Sequence, residues 1–518
     1  MNIIINILTG KKIQLLIGTL LLISSIVTIR HYSGPIKLVF LFELISFCII
    51  GITLNLITGK KYWSWIVALI FYSILTEISL IKQDYIGQKL YVSDFSNILS
   101  EPLILIGFIN SKLILILVLL FAISFLLFFE KTIRRFLIYK LILLTLLVFS
   151  GWNILKDESF VWRWNIEKSD GNFTMLVGEF FHPKKLKFDN LNVNETCCQR
   201  AVNEDIKLKR LNNNDKPNII AILLESQTNL DNLKGFKNWG SDWSDFSPIS
   251  SIVYAKGGGT WIQEYALLHG VNPQIYGESY DKINILGPSK LDGRLAPSLK
   301  NEGYETSSFL AYRKKFYNTE IFHKSLGIDN IIDCKDREDC KRDGSYFGID
   351  ENMFDSMLKK LKNSKSPQFF LSVTMTNHGP YSGVGLKDIK KCPLNINDQL
   401  CGELNDYYQR SEKLKKLISN FVLELNKLEK RTIVIFFGDH ISPTLASSFK
   451  TVDYIDSKDN EAILFAYDSG SKTFLKIHEK LKLCDKPIPS ENIDSIALYL
   501  ADYNSQYINK KLIAMRNC

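Results

Sequence analysis

Long apolar runs are confined to the first ~150 of the 518 residues, and this asymmetry limits the possible folds more than any other feature. Five segments, roughly Ile13–Ile29, Leu38–Ile57, Trp63–Ile81, Leu113–Phe129 and Phe136–Trp152, approach the ~20 residues that cross a bilayer as a helix. The first is followed by further spans, so it does not read as a cleaved signal peptide. Lys140 interrupts the last and must snorkel to the interface. The expected architecture is an N-terminal α-helical membrane domain of about five transmembrane helices (residues 1–152), an interfacial linker (153–215) and a soluble α/β domain (216–518).

Five spans place the two termini on opposite sides of the membrane. Lys11/Lys12, Lys60/Lys61 and Lys131/Arg134/Arg135 then share the cytoplasmic face, although Arg30 and Lys37 fall outside that pattern. The cysteines settle the orientation. Eight of nine lie beyond residue 190, which suits an oxidising compartment. Cys334/Cys340 and Cys392/Cys401 are close pairs in polar sequence and read as short disulfide-closed loops. Adjacent Cys197 and Cys198 are expected to pair elsewhere. The net charge of +9 is scattered. Without a basic stripe interleaved with aromatics, nucleic acid is not an expected partner, and the positive balance suits an anionic membrane surface better. Glu43 and Glu77 fall within spans, where a carboxylate reads either as functional or as a residue near a span end or paired inside the bundle. In the linker, Phe173–Phe181 reads as an amphipathic piece lying on the membrane.

From Asn218 onward strands and helices alternate. Strands are expected at Ile219–Leu224, Thr306–Ala311, Phe369–Thr374, Thr432–Phe437 and Ala462–Tyr467. Helices are expected at Trp261–Leu268, Glu351–Leu361 and Tyr407–Lys427. That alternation predicts a mainly parallel central sheet with helices on both faces.

Two strands end in chemistry. KPNIIAILLES is an apolar run stopping at Glu225, and RTIVIFFGDH stops at Asp439 and His440. Open α/β sheets bind ligands at the C-terminal ends of their strands. Taken singly, each carboxylate also reads as a cap or turn residue. Together they bring three metal-ligand side chains to one sheet edge. Thr260 follows three glycines and opens an amphipathic run, a candidate nucleophile where backbone N–H groups favour a phosphate. In TMTNHGPY, His378 also stands at a strand end, either as a turn residue or as a group that contacts phosphate or moves a proton. Arg313, after the strand in FLAYRKKFYN, reads either as a solvated loop arginine or as a phosphate-binding guanidinium. A threonine hydroxyl is a weak nucleophile unless a bound divalent metal lowers its pKa. Manganese, zinc or magnesium fits an oxygen-rich set, and the histidine tilts away from magnesium.

These motifs resemble the sulfatase/alkaline-phosphatase-like superfamily, and within it the membrane-bound lipoteichoic acid synthase and phosphoglycerol transferase group. LLES at Glu225, GGGTWIQE at Thr260, TMTNHGPY at His378 and FFGDH at Asp439-His440 carry the likeness, with GQKLYVSDF after the third span. The resemblance implies an alkaline-phosphatase-like domain with Glu225, Thr260, Asp439 and His440 at the metal and His378 on the phosphate. It implies a ping-pong reaction in which Thr260 takes phosphoglycerol from phosphatidylglycerol and passes it to a glycan or polymer. It also implies a multi-pass protein of a bacterial inner membrane with a periplasmic catalytic domain. In that group an arginine follows the Asn of FYNTEIFHKSLGIDN. Thr319 stands there in this chain, with Arg313 as the candidate substitute. The cysteine loops look more like the related phosphoethanolamine transferases, whose donor is phosphatidylethanolamine and whose acceptor is lipid A or another surface glycan. A sulfatase-type hydrolase would need Cys or Ser in a CxPxR-like context, and Cys392-Pro393 is followed by LNI. A non-catalytic membrane scaffold would be marked by loss of the threonine or a ligand, and all are present.

Overall fold

The computed structural model describes residues 36–86, 142, 144–146, 148, 208–210, 215–227, 243–255, 258–286, 294–340, 349–379, 381, 392, 397–440, 442 and 460–517. The chain separates into two compact units, residues 1–83 with 88–184, and residues 84–87 with 185–518.

In the first unit two helices are described, α1 (Ile36–Thr58) and α2 (Lys61–Ile86). They cover the expected segments Leu38–Ile57 and Trp63–Ile81. Gly59, at φ 69°, turns the chain between them, a conformation that costs a glycine little. Among the described residues no helix is long and apolar enough to cross a membrane. Ile13–Ile29, Leu113–Phe129, most of Phe136–Trp152 and the amphipathic piece Phe173–Phe181 lie outside the described residues.

The second unit is built on β1 (Asn218–Leu224), β2 (Ile249–Ile252), β3 (Glu305–Leu310), β4 (Asn330–Ile332), β5 (Gln368–Val373), β6 (Thr432–Gly438), β7 (Glu461–Asp468), β8 (Thr473–Leu475) and β9 (Ile488–Pro489). Their order across the sheet is β9-β2-β7-β6-β1-β5-β3-β4, with β8 beside β7. Between them run α3 (Thr260–His269), α4 (Leu295–Asn301), α5 (Thr319–Ser325), α6 (Ile349–Asn363) and α7 (Asp398–Leu425). They are followed by α8 (Ile477–Leu481), α9 (Ile493–Leu500) and α10 (Gln506–Arg516).

The central strands β1, β5 and β6 are buried throughout and mostly apolar because both faces are covered. Alternate residues serve opposite layers, as the two-residue strand period requires. Ile219, Ala221 and Leu223 of β1 pack with α3, α4, α9 and α10, whereas Ile220, Ile222 and Leu224 pack with α6 and α7. Ile433, Ile435 and Phe437 of β6 join the first layer, Val434 and Phe436 the second. Burying such a side chain contributes about 1.5–3 kcal/mol, so a one-residue slip would reverse every such gain.

The expected mainly parallel arrangement holds across the centre of the sheet, and the sheet as a whole is mixed. From β6 through β1, β5 and β3 to β4 every pairing is parallel. However, β7 runs antiparallel to β6, β2 and β8. The chain leaves β6 at the site edge and re-enters the sheet from that same edge, so the returning strand must reverse direction.

Register positions the site. Leu224 pairs with Gly438, so the next residues, Glu225 and Asp439, leave the sheet side by side. Leu223 and Leu310 both pair with Val373, which brings the segments after β1, β3 and β5 to one edge.

Candidate active site

Glu225 and Ser226 follow β1 in a turn, with Ser226 at φ 52°. The turn is held from three sides. The Ser226 amide donates to Asp439 Oδ1 at 2.8 Å, and its carbonyl accepts from Asn377 Nδ2 at 3.2 Å and Tyr407 Oη at 3.1 Å. Ser226 Oγ donates to Glu225 Oε1 at 3.0 Å, which leaves Oε2 for Thr260 Oγ1 at 2.8 Å. Thr260 opens α3, and Gly258 before it has φ 60°. The Gly258 amide donates to His440 Nε2 at 3.0 Å, so that nitrogen is unprotonated and its lone pair is engaged by the amide.

Glu225, Asp439 and His440 are all buried, and each offers one ligand atom within 4.8 Å of the others. His440 Nε2 lies 3.4 Å from Glu225 Oε1 and 3.2 Å from Asp439 Oδ2. Asp439 Oδ2 is buried without a hydrogen-bond partner. Burial, and then the charge of Glu225, push the Asp439 carboxyl well above its usual range. Burial also works to raise Glu225, but the His440 and His378 rings and the hydrogen bonds from Thr260 and Ser226 outweigh it and hold that carboxyl low. The two buried carboxylates, with Asp439 Oδ2 unsatisfied, and the His440 imidazole form a donor set that fits a divalent cation. The mixture of oxygen and imidazole suits zinc or manganese.

His378 follows β5 in a tight turn, its amide bonded to the Met375 carbonyl at 3.0 Å. Its Nδ1 lies 2.5 Å from the Gly379 carbonyl oxygen, which can only accept, so Nδ1 carries the proton and Nε2 is the basic nitrogen. Arg313 lies exposed in the turn after β3, its carbonyl accepting the Phe316 amide at 2.9 Å. Its neighbour Tyr312 is the residue directed inward. Burial, and then the charges of Glu264, Glu225 and Asp439, raise its phenol well above the usual value, and it hydrogen-bonds Thr319. Thr319 is buried and donates to the Phe316 carbonyl at 2.7 Å.

Several residues at this edge escaped the sequence reading. Asp350, at the start of α6, accepts the Met375 and Thr376 amides at 2.8 Å each and so shapes the turn that carries His378. Asn377 stood inside a recognised motif, yet its tie to Ser226 crosses two strands. His323 is wholly buried, with Nε2 3.2 Å from Glu264 Oε2 and Nδ1 3.0 Å from Ser308 Oγ. Glu264 is four residues beyond Thr260 on α3, so this cluster ties the threonine's helix to α5 and β3. Both expected disulfides, Cys334–Cys340 and Cys392–Cys401, are formed, and Cys484 is disulfide-bonded as well.

Residues 217–466 match the sulfatase family. An uncharacterized protein of Haemophilus influenzae is 26% identical over 248 residues, covering 43% of this chain and 44% of the relative. The lipoteichoic acid synthase-like protein YvgJ of Bacillus subtilis is 27% identical over 146 residues, covering 28% and 23%. The chain thus spans less than half the length of these relatives. Among solved structures, the integral membrane lipooligosaccharide phosphoethanolamine transferase A of Neisseria meningitidis superposes with a TM-score of 0.52 at 13% identity. That alignment covers 96% of this chain and 95% of the other, a likeness of fold. The strand-end site therefore lies within a domain that matches the sulfatase family, in a chain similar in sequence to a lipoteichoic acid synthase-like protein and in fold to a phosphoethanolamine transferase.

Proposed function

We propose that the chain is a membrane-bound transferase that moves phosphoglycerol from phosphatidylglycerol, through a phospho-threonine intermediate at Thr260, to a glycan or polymer of the cell envelope. The observation that carries this reading is the Thr260 hydroxyl, 2.8 Å from Glu225 beside the Asp439-His440 cluster. Glu225, Thr260, Asp439 and His440 would hold a divalent metal. When bound, it lowers the threonine pKa and withdraws charge from the attacked phosphate.

The protein's own groups supply the remaining steps. Thr260 Oγ1 gives its proton to the basic His378 Nε2 and attacks the donor phosphorus. The P–O bond to diacylglycerol breaks, and the leaving alkoxide takes that proton from His378 Nε2. The acceptor hydroxyl then gives its proton to His378 Nε2 and attacks the phosphorus, and the Thr260 oxygen leaves and takes the proton back. Glu225 orients the hydroxyl, and the α3 N-terminus favours the phosphate charge. Arg313 is exposed beside this edge and is assigned to the donor phosphate or headgroup.

The lipoteichoic acid synthase-like relative supports the phosphoglycerol donor. The two disulfides support a second reading, phosphoethanolamine transfer from phosphatidylethanolamine to a surface glycan, and an oxidising periplasmic location. The N-terminal apolar segments, together with the full-length likeness to an integral membrane protein, support a multi-pass inner-membrane anchor. Incubating the protein with each lipid and weighing the Thr260 peptide tests the mechanism. A glycerol phosphate adduct is expected. An ethanolamine phosphate adduct keeps the chemistry and overturns the donor, and full transfer by Thr260→Ala overturns the nucleophile.

A further inference from the structure

One face of α7 grips both turns of the candidate site. Asp406, Tyr407, Arg410 and Ser411 lie one helical turn apart in two adjacent pairs and so share that face. Tyr407 holds the Ser226 carbonyl, and Ser411 Oγ donates to Gln227 Oε1 at 3.0 Å. Arg410 is engaged at all three nitrogens. Nε and Nη2 lie 2.8 and 2.9 Å from the two oxygens of Asp406, and Nη1 donates to the His378 carbonyl at 2.7 Å. Its guanidinium also stands 5.0 Å from the centre of the Tyr381 ring, whose hydroxyl donates to the Asn377 carbonyl at 2.7 Å. The peptide at His378 is therefore held at its amide by Met375 and at its carbonyl by Arg410, while the ring is held at Nδ1 by Gly379. The freedom left to the imidazole is set by where Arg410 places that carbonyl.

We propose that Arg410, oriented by Asp406, is a positioning residue that holds the His378 turn so that the imidazole Nε2 faces the group transferred at Thr260. The proposal rests on the reading of His378 as the proton carrier. A planar guanidinium serves the carboxylate and the carbonyl together, whereas a lysine is a single point charge and satisfies only one. The Asp406 and Arg410 side chains are only 8% and 12% exposed, so removing either partner also costs stability, and the ring signal and the double variant separate that loss from a loss of positioning. Because Arg410 acts through the His378 turn, the loss should fall on turnover and leave donor affinity unchanged.

The test uses the full-length protein in nanodiscs with the donor lipid that labels Thr260, and two independent readouts. The first is the order of the His378 ring. The chain has seven histidines, few enough for selective carbon-13 labelling at Cε1. A single sharp His378 signal in the wild type should broaden or split in Arg410→Met and in the gentler Asp406→Asn. An unchanged signal in both overturns the proposal, whatever the activity shows. The second is the transfer rate. His378→Ala should lose roughly 10²-fold or more. Arg410→Met should lose about 10-fold in kcat at unchanged KM, and Arg410→Lys should recover only part of it. In the His378→Ala background the Arg410→Met loss should vanish. A multiplicative loss in the double variant, or full activity of Arg410→Lys, overturns the proposal. Full activity of His378→Ala overturns the proton-carrier reading alone, and the ring signal then decides the positioning claim by itself.

Discussion

Gly438 and Gln227 meet backbone to backbone: a Cβ at Gly438 would lie 2.2 Å from the Gln227 carbonyl oxygen and 2.9 Å from Ala462 Cβ. This approach lets the turn after β1 close over the end of β6, so that Glu225 and Asp439 share one cluster. Gly438→Ala should cost about 1–3 kcal/mol through overpacking and push the two carboxylates apart. Denaturation curves and metal analysis of the purified protein check this. Wild-type metal content in the variant would show that the approach is not needed.

Asp439 should behave oppositely in the metal-free and metal-loaded protein. Its carboxyl is raised by burial and by Glu225, so the protonated form favours the fold. That contribution is fully present below the unfolded value of about 3.9 and is lost as pH rises through the folded value. Asp439→Asn should flatten this decline in chelator-treated protein, and it should abolish the rise in melting temperature on adding zinc or manganese. Melting curves across pH, with and without metal, read both effects. A variant still stabilised by metal would remove Asp439 from the ligand set.

The helix carrying Thr260 is anchored at its far end. Gly270, at φ 69°, ends α3, and its carbonyl accepts from Lys511 Nζ at 2.9 Å. Lys511 and Asp494 form a buried pair at 3.0 Å, and Tyr507 Oη donates to Asp494 at 2.6 Å. Lys511→Met leaves a buried carboxylate unpaired and should cost about 3–5 kcal/mol. Adding Asp494→Leu should recover most of that loss. Urea denaturation of the single and double variants decides it, and additive losses would refute the pairing argument.

The disulfide Cys334–Cys340 closes a loop that braces the turn holding Tyr312 and Arg313. Asp333 accepts the Lys314 amide at 2.9 Å, and Arg337 Nη1 donates to the Leu310 carbonyl at 3.0 Å. Replacing both cysteines with serine should lower stability by about 2 kcal/mol, the chain-entropy value for so short a loop. Non-reduced peptide mapping should find both disulfides in protein from the oxidising compartment. Free thiols at all four positions would count against an exported domain.

What could be read from the chain alone is what short stretches encode. β1, β5 and β6 start and stop within a residue of expectation because each is a continuous apolar run with polar or turn residues at its ends. Glu225, Thr260, His378 and Asp439-His440 stood out because each interrupts or follows such a run. The tertiary structure decided what depends on pairing between distant segments. The reversal of β7 follows from the edge by which the chain returns, and no local pattern records that. The arrival of Asp439 beside Ser226, 213 residues away, follows from strand register. The inward turn of Tyr312 rather than Arg313, and the reach of Arg410 to His378, follow from packing against neighbouring elements. Local periodicity states which face of an element is apolar. Only the assembled layers determine which polar side chains then meet.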